Sequence, residues 1–272
     1  MSLIDEVLVR TGNRIAERYN LTHHVRALVC ASWVSINLGH WVEAIDWARK
    51  AMKLAEEFLD NGNTAMAAIV LSLAYAQKGD FSQAFEYSQL GVKKAPGITY
   101  EVWSKGMHAM VHCLTGDSEE GVDTLKLLLE GGAHGYVTFE LLVLANLCEG
   151  LLLIGRDREM RQPTERLLHL AESRGAKFHA GLAHRLLGEM QLLETDTALP
   201  HFNEAIAIFR QIKAENELAK AYLGMGRLHK FRGEYAEARR YLTQALEIFE
   251  RLGTLIEPDK VRKELAELPA SA

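Results

Sequence analysis

The residues best suited to chemistry form one short cluster in the first half of the chain. His108 and His112 stand four residues apart, and Cys113 follows the second histidine. On a helix this spacing puts both imidazoles on one face, and imidazole together with thiolate is a ligand set for zinc. The sequence offers no third ligand at a recognisable motif spacing. Because eleven histidines make one such pair common by chance, we predict no metal site.

Sequence patterns for catalysis and nucleotide binding are missing as well. The chain contains no Gly-x-x-x-x-Gly-Lys-Ser/Thr, Gly-x-Ser-x-Gly or His-Glu-x-x-His, the patterns of a phosphate loop, a serine nucleophile and a zinc protease. Arg185 and Glu189 come nearest to an acid–base pair, and a surface ion pair is the commoner explanation of their spacing. We therefore expect no intrinsic catalysis and no cofactor.

Composition argues against several classes of partner. The 272 residues carry a net charge of −5 and are 48% hydrophobic and 25% charged, and neither half is basic enough to predict nucleic-acid binding. No apolar run approaches the roughly 20 residues that cross a bilayer. Cys30, Cys113 and Cys148 are odd in number and widely spaced, as is typical of a reducing compartment. We expect a cytoplasmic protein without membrane contact.

Repeats supply the elements that position these residues. A Gly, an aromatic residue two places on and an Ala three further recur at Gly39 to Ala44, Gly79 to Ala84 and Gly233 to Ala238. Weaker copies begin at Gly116 and Gly155. Along the chain, the first four glycines of the phrase lie at intervals of 40, 37 and 39 residues. A nearly fixed period of this length indicates stacked repeats, in which function usually lies in a surface.

Each unit reads as two amphipathic helices, with the Gly ending the first helix at positive φ. Trp41, Phe81 and Tyr235 are expected to fill the space between units, and the residues of this phrase to stay away from a partner. A second series late in the second helices, at intervals of 37 to 40 residues, indicates six units. It comprises Ala51, Gly91, Leu128, Leu167, Ala205 and Ala245.

These patterns predict an all-α protein, a right-handed α-α superhelix of about six helix-turn-helix repeats with terminal capping helices. Residues 1–21 are expected to form an N-terminal helix, either a cap or a truncated repeat. Residues 22–252 would hold the six repeats, and residues 253–272 a capping helix and tail, because such arrays need polar ends.

The repeat residues resemble the tetratricopeptide repeat family. The match is best in two units, which carry Leu71, Tyr75, Gly79, Phe81, Ala84 and Pro96, and Tyr222, Gly226, Gly233, Tyr235, Ala238 and Ala245. Gly121 and Met160 depart from the motif, since they replace its Ala in the middle units. The resemblance implies a solenoid whose first helices line a concave groove in which partner segments bind.

The period suggests a second, narrower resemblance. It averages about 39 residues, against roughly 34 in most of the family, and is similar to that of arrays in bacterial signalling proteins. The segment Tyr241 to Lys260 resembles C-termini of class III adenylate/guanylate cyclases that carry a signalling ATPase. This resemblance implies a sensory or regulatory domain of a larger cyclase, ATPase or transcription regulator whose activity is encoded upstream.

Projected onto the family's geometry, the first helices direct two unlike sets of side chains toward the groove. The N-terminal set is mainly apolar and comprises Arg26, Val29, Trp33, Met66, Ile69, Leu73, Trp103, Met110 and Cys113. The C-terminal set is polar and comprises Arg185, Glu189, Lys220, Arg227 and Lys230. Apolar patches rich in Met and Trp are typical of binding surfaces.

Three explanations of the apolar set stay open. The residues could be core, could mediate self-association, or could bind a protein or peptide segment. The sequence favours a non-catalytic scaffold for protein–protein interaction, with the regulatory domain of a signalling protein as the alternative.

Overall fold

Helix follows helix along the chain. The computed structural model describes residues 22–115, 118–131, 137–192 and 195–269, which contain helices and no strand. The helices are α1 (22–38), α2 (Trp41–Glu57), α3 (Asn61–Lys78), α4 (Phe81–Lys94), α5 (Ile98–Thr115), α6 (Ser118–Glu130), α7 (Val137–Leu153), α8 (Asp157–Ser173), α9 (Lys177–Met190), α10 (Thr195–Ile212), α11 (Glu215–Phe231), α12 (Tyr235–Leu252) and α13 (Glu257–Ala266). The predicted helix over 1–21 lies outside the described residues.

The helices pack as a solenoid. Each helix from α2 onward packs on its successor, and the odd-numbered helices also pack on one another, α3 on α5, α5 on α7, α7 on α9 and α9 on α11. Odd-numbered helices therefore form an inner layer and even-numbered helices an outer one. The predicted all-α repeat architecture is confirmed, whereas the predicted domain boundaries stay a prediction. None of the described helices is both long and apolar enough to span a bilayer.

The recurring Gly-aromatic-Ala phrase builds the turn inside each helix pair. Four of its glycines take positive φ, namely Gly39 at 82°, Gly79 at 92°, Gly155 at 68° and Gly233 at 73°. Residues with a Cβ pay a steric cost in that conformation, which is why Gly ends these helices. Ala44, Ala84 and Ala238 are fully buried and allow close approach of the paired helices.

The aromatic position of the phrase behaves less uniformly than expected. Trp41 is buried and Phe81 is half-buried, but Tyr235 is 44% exposed. The expectation for Tyr235 is wrong because, among the described helices, only the single helix α13 follows α12. No further helix pair covers the outer face of α12 there.

The core divides into two clusters. One extends from α1 to α5, and the other from α5 to α13. Trp103 of α5 packs against both clusters, with its ring 6.2 Å from that of Trp33 and 5.7 Å from that of Phe139. The Trp103 side chain therefore joins the two halves of the array.

The array also closes on itself. The backbone N–H of Leu255 donates to the carbonyl oxygen of Lys78 at 2.9 Å. Ile256 packs so closely that a Cβ at Gly79 would lie 3.2 Å from its Cγ1. Repeats in a solenoid normally contact only their neighbours, so a contact between α3 and the segment before α13 is an additional feature of this chain.

Side chains extend this closure toward the inside of the ring. Gln77 Oε1 accepts hydrogen bonds from Asn216 Nδ2 at 3.2 Å and from Lys220 Nζ at 3.1 Å. A Cβ at Gly39 would lie 3.0 Å from Cδ1 of Leu252. We call this contact the seam, formed by Gly39 and residues 77–79 on one side and by Asn216, Lys220 and residues 252–256 on the other.

Candidate functional site: a central cavity

The inner layer surrounds a partly enclosed cavity of about 400 Å³. This volume lies within the range of small-molecule and peptide sites. One part of its wall is apolar and includes Trp33, Leu73, Met107, Met110, Leu142 and Phe178. Another part is polar and includes Gln77, Asn146, Glu149, Arg185, Asn216, Glu217, Lys220 and Arg227.

A buried ion network occupies the polar wall. Arg185 is 3% exposed; it donates to Glu149 Oε1 and, from Nε, to Glu217 Oε2 at 3.2 Å. Lys220 Nζ donates to the other oxygen of Glu217 at 2.7 Å. Although burial alone would act in the opposite direction, the two carboxylates raise the pKa of Arg185. Likewise, Lys220 and Arg185 overcome burial and lower the pKa of Glu217. Arg185 and Glu217 therefore stay ionised at neutral pH.

A second chain of charges leads from the cavity to α13. Arg227 lies 3.8 Å from Glu189 and donates from Nε to Glu264 at 3.0 Å. Lys230 donates to Glu264 and Glu267 at 3.2 Å and 2.7 Å. Burial raises the pKa of Glu189, although Arg227 and Arg185 oppose it.

Arg185 and Glu189 do not form the surface ion pair that the sequence suggested. Arg185 is buried and pairs instead with carboxylates of the neighbouring inner helices α7 and α11. The reason is that an inner helix packs between two other inner helices, whose carboxylates can pair with Arg185 although they lie about one repeat away in sequence.

Two buried amides in the cavity wall have an unpaired atom. Asn146 is 7% exposed and its Nδ2 has no hydrogen-bond partner in the described structure. Asn216 is 3% exposed and its Oδ1 likewise lacks one. Native proteins pair nearly all buried polar atoms, because an unpaired one costs about 1–3 kcal/mol. Oε2 of Glu257, also in the cavity wall, is a third unpaired atom, so the cavity offers one donor and two acceptors to an occupant.

Seven of the fourteen predicted groove residues line this cavity. They are Trp33, Leu73, Met110, Arg185, Glu189, Lys220 and Arg227. Cys113, another of the fourteen, is buried in the core instead.

The structure places the other six predicted residues elsewhere. Val29 and Ile69 are buried core, and Met66 packs against the same core. Trp103 lies between the two core clusters. A helical position differs from its neighbour by about 100° around the axis, so a small error in register moves a side chain from groove to core.

The last two lie outside the cavity wall for different reasons. Arg26 is exposed and does not line the cavity. Lys230 is engaged by the carboxylates of α13, a helix that the groove projection did not include.

Several wall residues were not predicted from the sequence. Gln77, Asn146 and Asn216 are absent from the predicted set, as are Glu149 and Glu217. The two glutamates carry a usable signal, since Glu149 precedes Arg185 by 36 residues and Glu217 follows it by 32, close to one repeat.

Phe81 was also missed. It belongs to the turn phrase and yet lines the cavity, against the expectation that residues of the phrase stay away from a partner. It begins α4 two residues after Gly79, the glycine at the seam, so closure of the array places it beside the interior.

The histidine cluster is a local hydrogen-bond chain. Nε2 of His108 and Nε2 of His112 lie 3.1 Å apart, and Ser88 Oγ lies 2.8 Å from Nδ1 of His108. Burial and the neighbouring His112 lower the pKa of His108. Burial raises the pKa of Cys113 to about 11, so its thiol is protonated at neutral pH. Among the described residues, no group of three or more His, Cys, Asp or Glu is placed to hold a metal ion.

Comparisons with known proteins agree with this architecture. A crystal structure of BtubC (BKLC) from P. vanneervenii has the same fold, with a TM-score of 0.53 and 14% identity over 88% of this chain and 94% of that chain. Comparison with curated proteins finds no match. Residues 180–251 match the family model described as tetratricopeptide repeat. This match and the solenoid of helix pairs support a repeat architecture like that of the tetratricopeptide repeat family, whose repeats generally mediate protein–protein interaction.

Proposed function

We propose that the chain is a non-catalytic scaffold that binds a segment of a partner protein in its central cavity. The observation that carries this proposal is the pair of buried amides with an unpaired atom, Asn146 and Asn216. Every non-proline residue of a polypeptide main chain presents one N–H and one C=O. A main chain in the cavity can therefore supply the acceptor that Asn146 lacks and the donor that Asn216 lacks.

The apolar wall supports a partner segment with apolar side chains. Trp33, Met107 and Met110 line the cavity, and Met and aromatic residues are enriched at protein interfaces. The paired charges around Arg185 leave the wall close to neutral, so we expect little preference for a strongly charged segment. These paired groups would shape the wall rather than transfer protons.

Selection from a randomised decapeptide library tests the proposal. We expect peptides rich in apolar residues, bound with 1:1 stoichiometry by calorimetry. Asn146→Ala and Asn216→Ala should each weaken binding about tenfold, since one hydrogen bond contributes on the order of 1 kcal/mol. Asn203→Ala is the matched control, because Asn203 is exposed on α10 outside the cavity.

Two results would count against this function. Peptides whose affinity is unaffected by either cavity substitution would bind elsewhere on the molecule. A dimer in analytical ultracentrifugation that Trp33→Ala disrupts would favour self-association through the apolar wall instead.

A second proposal rests on the resemblance of Tyr241 to Lys260 to cyclase C-termini. That segment forms the end of α12, the start of α13 and the seam residues between them. In this reading the array is the regulatory domain of a bacterial signalling protein. It requires a cyclase, ATPase or transcription-regulator module in the same open reading frame, and a reading frame that encodes the array alone would exclude it.

A further inference from the structure

The seam is a small contact between two large halves. Its main-chain component is the hydrogen bond from Leu255 N–H to the Lys78 carbonyl. Leu255 itself is 54% exposed, so its side chain adds little buried area. The contacts at Gly79 are close, since a Cβ there would lie 3.2 Å from Cγ1 of Ile256. Among the seam residues, Leu252 packs against the core cluster of α1 to α5, and the others belong to neither core cluster.

The seam also forms part of the cavity wall. Gln77, Asn216 and Lys220 line the cavity and make the hydrogen bonds that join the two sides. Asn216 uses its Nδ2 for the seam, and its unpaired Oδ1 remains for an occupant. An occupant of the cavity therefore meets both sides of the seam at once.

Opening of the seam and occupancy of the cavity therefore influence each other. A ligand shifts an equilibrium between two states by the difference in its affinity for them. A segment that contacts Gln77 and Asn216 together binds the closed array better than an open one. A partner segment, however, has to reach an interior of only about 400 Å³, and parting the seam separates Gln77 from Asn216 and Lys220 in its wall.

We propose that the seam is a gate: residues 77–79 and 252–256 separate to admit a partner segment and close over it once it is bound. The role of the gate in admitting a partner segment rests on the proposed binding function. Its opening, however, is a property of the protein alone and is measurable without any ligand.

Hydrogen exchange on the full chain tests the opening. The amide of Leu255 should exchange at least tenfold faster than those of Leu71 in α3 and Tyr222 in α11, through a local opening insensitive to low denaturant. If Leu255 exchanges only at the rate of those two core amides, the seam opens only when the array unfolds, and the gate does not exist.

A disulfide across the seam tests its role in binding. Lys78→Cys with Leu255→Cys places two thiols on residues whose backbones are linked by a hydrogen bond of 2.9 Å. Cys30→Ser removes the exposed native thiol. Cys113 and Cys148 can remain, because burial raises the pKa of these thiols to about 11 and about 12. Leu255→Cys alone, which cannot form the bridge, is the matched control.

The probe is a decapeptide selected against the reduced double variant. Oxidation should slow its association at least tenfold while leaving the control unchanged, and addition of a reductant should restore the rate. An unchanged association rate in the oxidised protein would show that the peptide enters by another route and would overturn the gate. If the reduced protein binds no peptide, the proposed binding function is wrong. The hydrogen-exchange rate of the Leu255 amide then decides whether the seam opens.

Discussion

One guanidinium, that of Arg185, ties Glu217 of α11 to Glu149 of α7 across the intervening helix α9. Its Nε donates to Glu217 at 3.2 Å, while Nη2 donates to Glu149. Arg185 and Glu217 are both almost fully buried. Three successive inner helices are thus held in register at the cavity wall, and the cost of burying these charges is offset only while all partners remain.

Arg185→Met should therefore destabilise the chain strongly. The substitution leaves two carboxylates in the wall without their shared cation, and breaking a buried pair costs about 3–5 kcal/mol. Urea unfolding followed by circular dichroism measures the loss. Arg251→Met is the control, because Arg251 pairs with Glu215 at the surface, where an ion pair contributes at most about 1 kcal/mol. Equal effects of the two substitutions would contradict this account of the network.

Two glycine-to-alanine substitutions should have opposite effects. At Gly121, which departs from the family's Ala, a Cβ would lie 2.5 Å from the backbone oxygen of Ala109, so Gly121→Ala should cost about 1–3 kcal/mol through overpacking. At Gly91 the nearest atom, Cγ1 of Ile69, would be 3.4 Å away. Gly91→Ala should stabilise the chain by about 0.5–1 kcal/mol through helix propensity. Thermal unfolding of both variants decides the signs, and a stabilising Gly121→Ala would be inconsistent with the packing.

Acid should weaken the fold partly through His179. Burial lowers the pKa of His179 to about 4, so the folded state resists protonation that the unfolded chain accepts near pH 6.5. The stabilising contribution is complete above pH 6.5 and is lost as the pH falls toward 4. Its full size is about 3 kcal/mol, because one pKa unit corresponds to about 1.4 kcal/mol.

His179→Gln should flatten this part of the pH profile of the unfolding free energy. The difference between wild type and variant should change mainly between pH 6.5 and 4, with the wild type losing more. His40→Gln, at an exposed position, controls for the removal of an imidazole. Parallel profiles for wild type and His179→Gln would mean that His179 is not the group responsible.

The two tryptophans in edge-to-face contact should separate stability from binding. Trp103→Ala removes the side chain that joins the two core clusters, which should cost about 3–5 kcal/mol. Trp33, which like Trp103 is partly buried, packs against only one cluster and lines the cavity, so Trp33→Ala should cost less and should weaken peptide binding. Thermal melting together with calorimetry measures both quantities. A larger loss of stability at Trp33 would assign it to the core.

Local features of the fold were predictable from the sequence because they depend on neighbouring residues. Gly39 and Gly79 take the positive φ that a helix end favours, and Ala44 and Ala84 are buried as the repeat requires. Such positions recur in the units that keep the motif, so one motif predicts several of them.

The site was predictable only in part, for two physical reasons. Val29 and Ile69 differ from groove residues by small rotations about a helix axis, which apolar character alone does not resolve. Gln77 meets Asn216 at a sequence separation of 139 residues, and that meeting depends on small rotations accumulated over several repeats. Asn146 carries no sequence pattern at all, since its importance comes from an unpaired atom.

The closure between Lys78 and Leu255 also constrains how the chain can change its length. An open solenoid gains or loses a repeat at little cost, because only two interfaces are affected. Here one extra helix pair would carry residues 252–256 past α3, and one fewer would leave them short of it. The closure therefore fixes the number of repeats, as closure of a barrel fixes its number of strands. Adding or removing a repeat would break the seam and with it the central cavity.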